Sequence, residues 1–162
     1  MNLATVRTGA IESVIKTLDR KPQKEAAAEH IETGRDGELA AFFYLRRQGY
    51  KVVARDWKSP RAPGDIDLIA WDDDTLCFVE VKTRTSLEVA TAEAAVDEHK
   101  RRTLRKLAGY YVRNLPEGTP SRFDVVTIHY TEKDSGERVP EVELFRSAFG
   151  WFESDPADLA AE

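Results

Sequence analysis

A single α/β domain, built on a mixed sheet flanked by helices, is the fold this sequence predicts. Three observations lead there. A helix-prone run ending at Gly49 is followed by three strand-like segments, a long amphipathic helix and a further strand. Apolar residues switch from three-and-four spacing in the helical runs to short unbroken blocks in the strand runs. The 162 residues, 41% hydrophobic and 33% charged, are enough for one domain with a real core plus extra helix or tail.

Each element has its own signal. Residues 3–18 place Val6, Ala10, Ile11, Val14, Ile15 and Leu18 at helical spacing, and Asp19 to Pro22 break the run. From about Gln23 to Gln48 the chain is helix-prone, interrupted by Gly34 and Gly37. Its second half, Glu38 to Gln48, carries Ala40, Ala41, Phe42, Phe43 and Leu45 and stops at Gly49. Tyr50 to Val53 start a first strand, Ser59 to Gly64 read as a loop, and Ile66 to Trp71 as a second strand. Asp72 to Asp74 make a turn, and Thr75 to Lys82 a third strand. A helix is expected from about Thr91 or Glu93 to Asn114, ended by Pro116 and Gly118. Ser121 to His129 give a fourth strand and Glu141 to Phe145 a weaker fifth. The expected organisation is an N-terminal helical extension at 1–32, a domain at 33–149 and an acidic tail at 150–162.

Composition narrows the function classes. Cys77 is the one cysteine, which excludes an internal disulfide; with only His30, His99 and His129 beside it, a structural zinc site is not expected. Cys77 reads as a small core residue. No apolar run approaches the ~20 residues of a membrane span, and the N-terminus lacks a secretory apolar region, so a cytoplasmic location is the expectation. The net charge of −5 is uneven. Residues 41–131 carry 15 Lys and Arg against 13 Asp and Glu, while residues 132–162 carry 3 against 9. The central region is thus mildly positive, before any metal neutralises its acids.

Two segments carry the chemistry: Gly64-Asp65-Ile66-Asp67-Leu68-Ile69-Ala70 and Phe78-Val79-Glu80-Val81-Lys82. Acid-x-lysine alone says little, since it occurs at Asp19/Lys21, Asp56/Lys58, Glu80/Lys82 and Glu98/Lys100. Only Glu80/Lys82 sits in an unbroken apolar strand that follows another acid-bearing strand. Side chains alternate faces along a strand, so Glu80 and Lys82 share one face, as do Asp65 and Asp67. Strands about 5 Å apart let Asp67 and Glu80 share one cation. Mg²⁺ or Mn²⁺ there would polarise a phosphate and activate water, with a backbone carbonyl near Val81 as a further ligand and Lys82 orienting water or stabilising charge. The plainer alternative is a solvated strand face, against which stands the cost of acids among Ile66, Leu68, Phe78, Val79 and Val81. Glu38 shares a helix face with Ala41, Phe42 and Leu45; a metal-site role and a helix-dipole role are equally compatible with its spacing. Lys100 continues the face of Leu104, Leu107, Ala108 and Tyr111 toward the strand ends. Lys100, Arg84 and Arg61 are the phosphate candidates. Trp57, Tyr110 and Trp151 could stack on bases, with packing the plainer reading.

The segment Gly34-Arg35-Asp36-Gly37-Glu38-Leu39-Ala40, with Tyr44-Leu45, Gly49-Tyr50, GDIDLIA at 64–70, FVEVKTR at 78–84, Val96 with Lys100, and Arg122-Phe123-Asp124-Val125-Val126, resembles the YraN-like bacterial proteins over about residues 33–149. That family is similar to the restriction-endonuclease-like PD-(D/E)XK nuclease superfamily and to archaeal Holliday-junction resolvases. The resemblance implies a restriction-endonuclease-like mixed central β-sheet flanked by helices, to which the helix at 3–18 is an addition. It puts the metal-binding acid on Asp67, the Glu-x-Lys pair on Glu80 and Lys82, a helix-borne acid on Glu38 and a basic helix position on Lys100. It also implies an endonuclease acting on DNA, branched DNA being one candidate, and a homodimer by analogy. Asp65 stands where that family's segment carries Glu, one methylene longer, which leaves Asp65 an auxiliary role. The alternative is a non-catalytic nucleic-acid-binding or protein-interaction module on the same fold.

Overall fold

The computed structural model of the protein describes residues 34–84 and 96–152; the helix expected at 3–18 and most of the acidic tail lie outside the described residues. The chain divides into Met1–Asp36 and Gly37–Glu162, and the second unit holds the site. Helix α1 covers 34–47. It leads into strands β1 (Lys51–Ser59), β2 (Ala62–Asp72) and β3 (Thr75–Arg84), then helix α2 (Glu98–Val112), and β4 (Ser121–Glu132) and β5 (Arg138–Phe149). The five strands form one mixed sheet in the order β1-β2-β3-β4-β5. Only β3 and β4, joined through α2, are parallel; the other neighbours are antiparallel. This is the mixed α/β architecture expected. Among the described residues no helix is long and apolar enough to cross a membrane.

The sheet is buried on both faces because its central strands are apolar on both. Ile66, Ile69, Leu76, Phe78, Phe123 and Val125 pack with Leu104, Leu107 and Ala108 of α2. Leu68, Ala70, Cys77, Val79, Val126 and Ile128 pack with Ala41 and Leu45 of α1. On β3, therefore, even-numbered residues face α2 and odd-numbered ones face α1, which sends Glu80 and Lys82 to the α2 side. Cys77 is a buried core residue, as its sequence context suggested, and burial pushes its thiol up to about 12.

Several boundaries differ from expectation. The loop expected at Ser59–Gly64 is a tight hairpin, with Ser59 paired to Ala62. Its prolines and glycine are tolerated because β2 pairs with β3 only from Leu68 onward, so Pro63 and Gly64 lie outside that ladder. Helix α2 begins at Glu98 rather than near 91–93: Asp97 is extended and its carboxylate accepts the Lys100 amide, 2.9 Å away. Strand β5 runs well past Glu141–Phe145 in both directions.

Two close approaches fix the layers around the site. A Cβ on Gly37 would collide with the Thr83 side chain, so the start of α1 rests directly on β3. Gly64, at φ +95°, brings the β1–β2 hairpin onto α2, where a Cβ would stand 2.8 Å from Thr103 Cγ2. Gly37→Ala is expected to cost about 1–3 kcal/mol by overpacking. Adding Thr83→Ala should recover part of that loss in denaturant unfolding; additive losses would show that the contact is not the cause.

Candidate functional site

The site forms where β2 leaves β3. Their ladder runs from Asp72↔Thr75 to Leu68↔Val79 and stops. At that point the side-chain alternation of β2 also breaks, since Ile66 faces α2 while Leu68 faces α1. On β1, Asp56 takes φ 47° between the pairs Arg55↔Leu68 and Trp57↔Ile66, opposite Asp67. At the bend Asp67 Oδ2 accepts the Val81 amide at 2.7 Å. One acid is thereby pinned to the backbone of the strand that carries the other.

Glu80 is only 2% exposed. Lys82 Nζ lies 3.0 Å from its Oε1 and Lys100 Nζ 3.1 Å from its Oε2. Oε2 nonetheless accepts no directed hydrogen bond, so it is charge-compensated but not saturated. Burial, and then the neighbouring charge of Glu80, push the Asp67 carboxyl up to about 8, against the Val81 hydrogen bond and Lys100. Burial alone would lower Lys100, but the Glu80 and Asp67 carboxylates outweigh it and hold the ammonium above its ordinary value. The pocket is thus a pair of mutually repelling acids steadied by two lysines.

The structure brings most of the expected residues together. Asp65 stands 3.7 Å from Lys100 Nζ and 3.9 Å from Lys58 Nζ, and its backbone carbonyl accepts from Lys100 at 3.4 Å. Burial raises the Glu38 carboxyl, with Asp56, Asp65 and Glu80 adding to the rise and Arg55 opposing it. Glu38 is close enough to feel these acids, yet among the described residues no three of His, Cys, Asp or Glu are grouped as a metal cluster. Lys100 engages the acids themselves. Arg61 is elsewhere, at the hairpin tip, 5.9 Å from the Tyr110 ring. Arg84 ends β3, opposite His129. Trp57 packs on Tyr111 and Trp151 on Phe78 and Phe123, so neither is a free stacking platform. Lys58 was missed by sequence reasoning. Its triplet with Asp56 was visible, but nothing local said that the hairpin would carry it to Asp65.

Comparison with known proteins places this chain in a family. The model of the uncharacterised protein family UPF0102 matches residues 37–128, which include Glu38, Asp67, Glu80, Lys82 and Lys100. The chain belongs to the UPF0102 family. A UPF0102 protein of Koribacter versatilis is 44% identical over 135 residues, covering 83% of this chain and 91% of the relative. One from Porphyromonas gingivalis is 39% identical over 112 residues, covering 69% and 82%. One from Moorella thermoacetica is 40% identical over 118 residues, covering 72% and 93%.

A second charged assembly braces the UPF0102 domain away from the acids. Asp124, fully buried, accepts from Arg122 Nε at 2.9 and 3.2 Å and from the Ser147 amide at 2.9 Å. Arg122 also donates to Asp72 at 2.6 Å and to the Tyr50 hydroxyl at 2.9 Å, which Arg146 contacts at 3.0 Å. The network ties β2, β4 and β5 together through side chains that are nearly all satisfied. It is scaffolding beside the candidate site rather than part of it.

The chemistry of the candidate donor set would suit a hard divalent cation. Asp67 and Glu80 offer carboxylate oxygens that repel one another, and one buried oxygen, Glu80 Oε2, lacks a hydrogen bond. Mg²⁺ is commonly held by one or two carboxylates and completes its shell with water and phosphate oxygen, so a third protein acid is not required.

Proposed function

We propose that the protein is a Mg²⁺- or Mn²⁺-dependent DNA endonuclease on a restriction-endonuclease-like fold. The observation that carries this reading is the buried pair Asp67–Glu80, set at the parting of two strands with Lys82 on Glu80. Asp67 and Glu80 hold the cation, and Glu38 adds negative potential from α1. The metal supplies Lewis acidity toward the scissile phosphate and its water. Lys82 leaves Glu80 Oε1 to orient the attacking water or to face the charge that develops on phosphorus. Asp65 steadies Lys100 and Lys58 at the rim, and Arg84 extends the cationic surface along β3. Branched DNA is the first substrate to try, and a homodimer would let two sites act on two strands.

Nicking of supercoiled plasmid and of a four-way junction with Mn²⁺ tests the proposal. Asp67→Ala should abolish cleavage, and Lys82→Ala should lower kcat by about 10²–10³-fold. Cleavage that persists in both variants would remove the mechanism. A salt-sensitive gel shift without cutting in any divalent metal would leave a binding module in its place.

A further inference from the structure

Helix α2 and its C-cap carry a stripe, Thr103, Lys106, Tyr110 and Arg113, at three- and four-residue spacing on one face. The β1–β2 hairpin lies along it. Gly64 meets Thr103 and Leu107, Trp57 packs edge-on against Tyr111 at 5.2 Å, and Arg61 reaches Tyr110. The Arg61 guanidinium lies 5.9 Å and the Arg113 guanidinium 5.0 Å from the Tyr110 ring centroid. One half-buried tyrosine thus positions two exposed guanidiniums, with Lys106 a turn away.

A ring with two guanidiniums also occurs in the opposite layer, where Arg46 and Arg55 lie over Phe42; this patch differs in resting on the helix that carries Lys100. Elsewhere on α2, Arg105 is paired with Glu98, and across the sheet Arg122 is paired with Asp72 and Asp124. Among the described residues, no carboxylate pairs with Arg61, Lys106 or Arg113. Three like charges gathered on one surface with no ion pair among the described residues favour an anion. Lys106, Tyr110 and Arg113 share their helix with Lys100, at Glu80, which precedes Tyr110 by ten residues, about 15 Å along the axis and about 80° around it.

We propose that Arg61, Lys106 and Arg113, organised by Tyr110, bind the phosphodiester backbone of the nucleic acid whose scissile phosphate sits at Asp67 and Glu80. Phosphates of one B-form strand advance about 3.4 Å along the axis, so the patch meets the strand about four nucleotides from the cut. The inference rests on the nucleic-acid reading above and adds a second, non-catalytic grip to it.

Anisotropy of a fluorescein-labelled 20-base-pair duplex, titrated with the full-length chain in Ca²⁺ over a salt series, tests it. Arg61→Ala/Arg113→Ala should weaken binding about tenfold or more and reduce the slope of log K against log salt by about 1.8. Tyr110→Ala should follow in the same direction, and Tyr110→Phe, which keeps the ring, should bind as the wild type does. The pair Arg46→Ala/Arg47→Ala on α1, in the opposite layer, removes equal charge and should leave binding nearly unchanged. An equal drop in both pairs, or no drop in the first, would overturn the subsite while the wild type still bound DNA. A wild type that binds no duplex would overturn the nucleic-acid reading itself.

Discussion

Asp124→Ala should destabilise the domain by about 3 kcal/mol. Removing one partner of a buried ion pair leaves the other charge uncompensated, a loss of about 3–5 kcal/mol when no second partner remains. Arg122 keeps Asp72 at 2.6 Å, which places the expectation at the lower end. The Ser147 amide loses its acceptor as well. For a domain of this size about 3 kcal/mol is roughly 10 °C in Tm and a large share of a typical 5–15 kcal/mol stability. Asp124→Asn, which keeps an acceptor for both donors, should lose less. Urea unfolding of the two variants decides the matter; a loss under about 1 kcal/mol for the alanine would mean the network is peripheral to stability.

Asp67→Asn should do the opposite in metal-free buffer and make the protein more stable at pH 8. The wild-type carboxyl, raised from 3.8 to about 8 by burial and by Glu80, holds a proton in the fold that the unfolded chain releases. The unfolded state therefore binds fewer protons between those values, and wild-type stability falls as pH rises from about 4 toward 8. Asparagine still accepts the Val81 amide but carries no charge to desolvate, so its stability should be flatter over that window. The gain at pH 8 should be at least about 1 kcal/mol, with a ceiling of about 5 kcal/mol if the whole shift counted. Mn²⁺ should invert the order, raising the Tm of the wild type and leaving the asparagine variant nearly unmoved. Parallel pH–stability curves for the two chains in EDTA would contradict this account of the site.

The central strands and their acids were legible because their apolar blocks are unambiguous. Ile66 to Trp71 and Thr75 to Lys82 lie within the observed β2 and β3, and alternation alone put Glu80 and Lys82 on one face. The edges were less legible. Among the described residues strand β5 pairs on one side only, and its Pro140, Glu141, Glu143 and Arg146 dilute the apolar signal. Pro60 and Pro63 read as loop because their hairpin is held by α2 rather than by a neighbouring strand. The geometry of the acids depends on β2 departing from β3 at Asp67, a long-range event with no local mark beyond Gly64. For the same reason, acid-x-lysine repeats that looked like noise turned out to converge. Lys58, Lys82 and Lys100, from three separate triplets, all reach Asp65 or Glu80.

Past Leu68↔Val79 the contact between β2 and β3 is made by a side chain, and a side chain can let go without any strand moving. The Val81 amide is therefore a built-in reporter. While Asp67 grips it, its hydrogen should exchange with solvent slowly, like its strand neighbours. Whenever the carboxylate swings toward a new charge, that single amide should lose protection while the rest of the sheet stays silent.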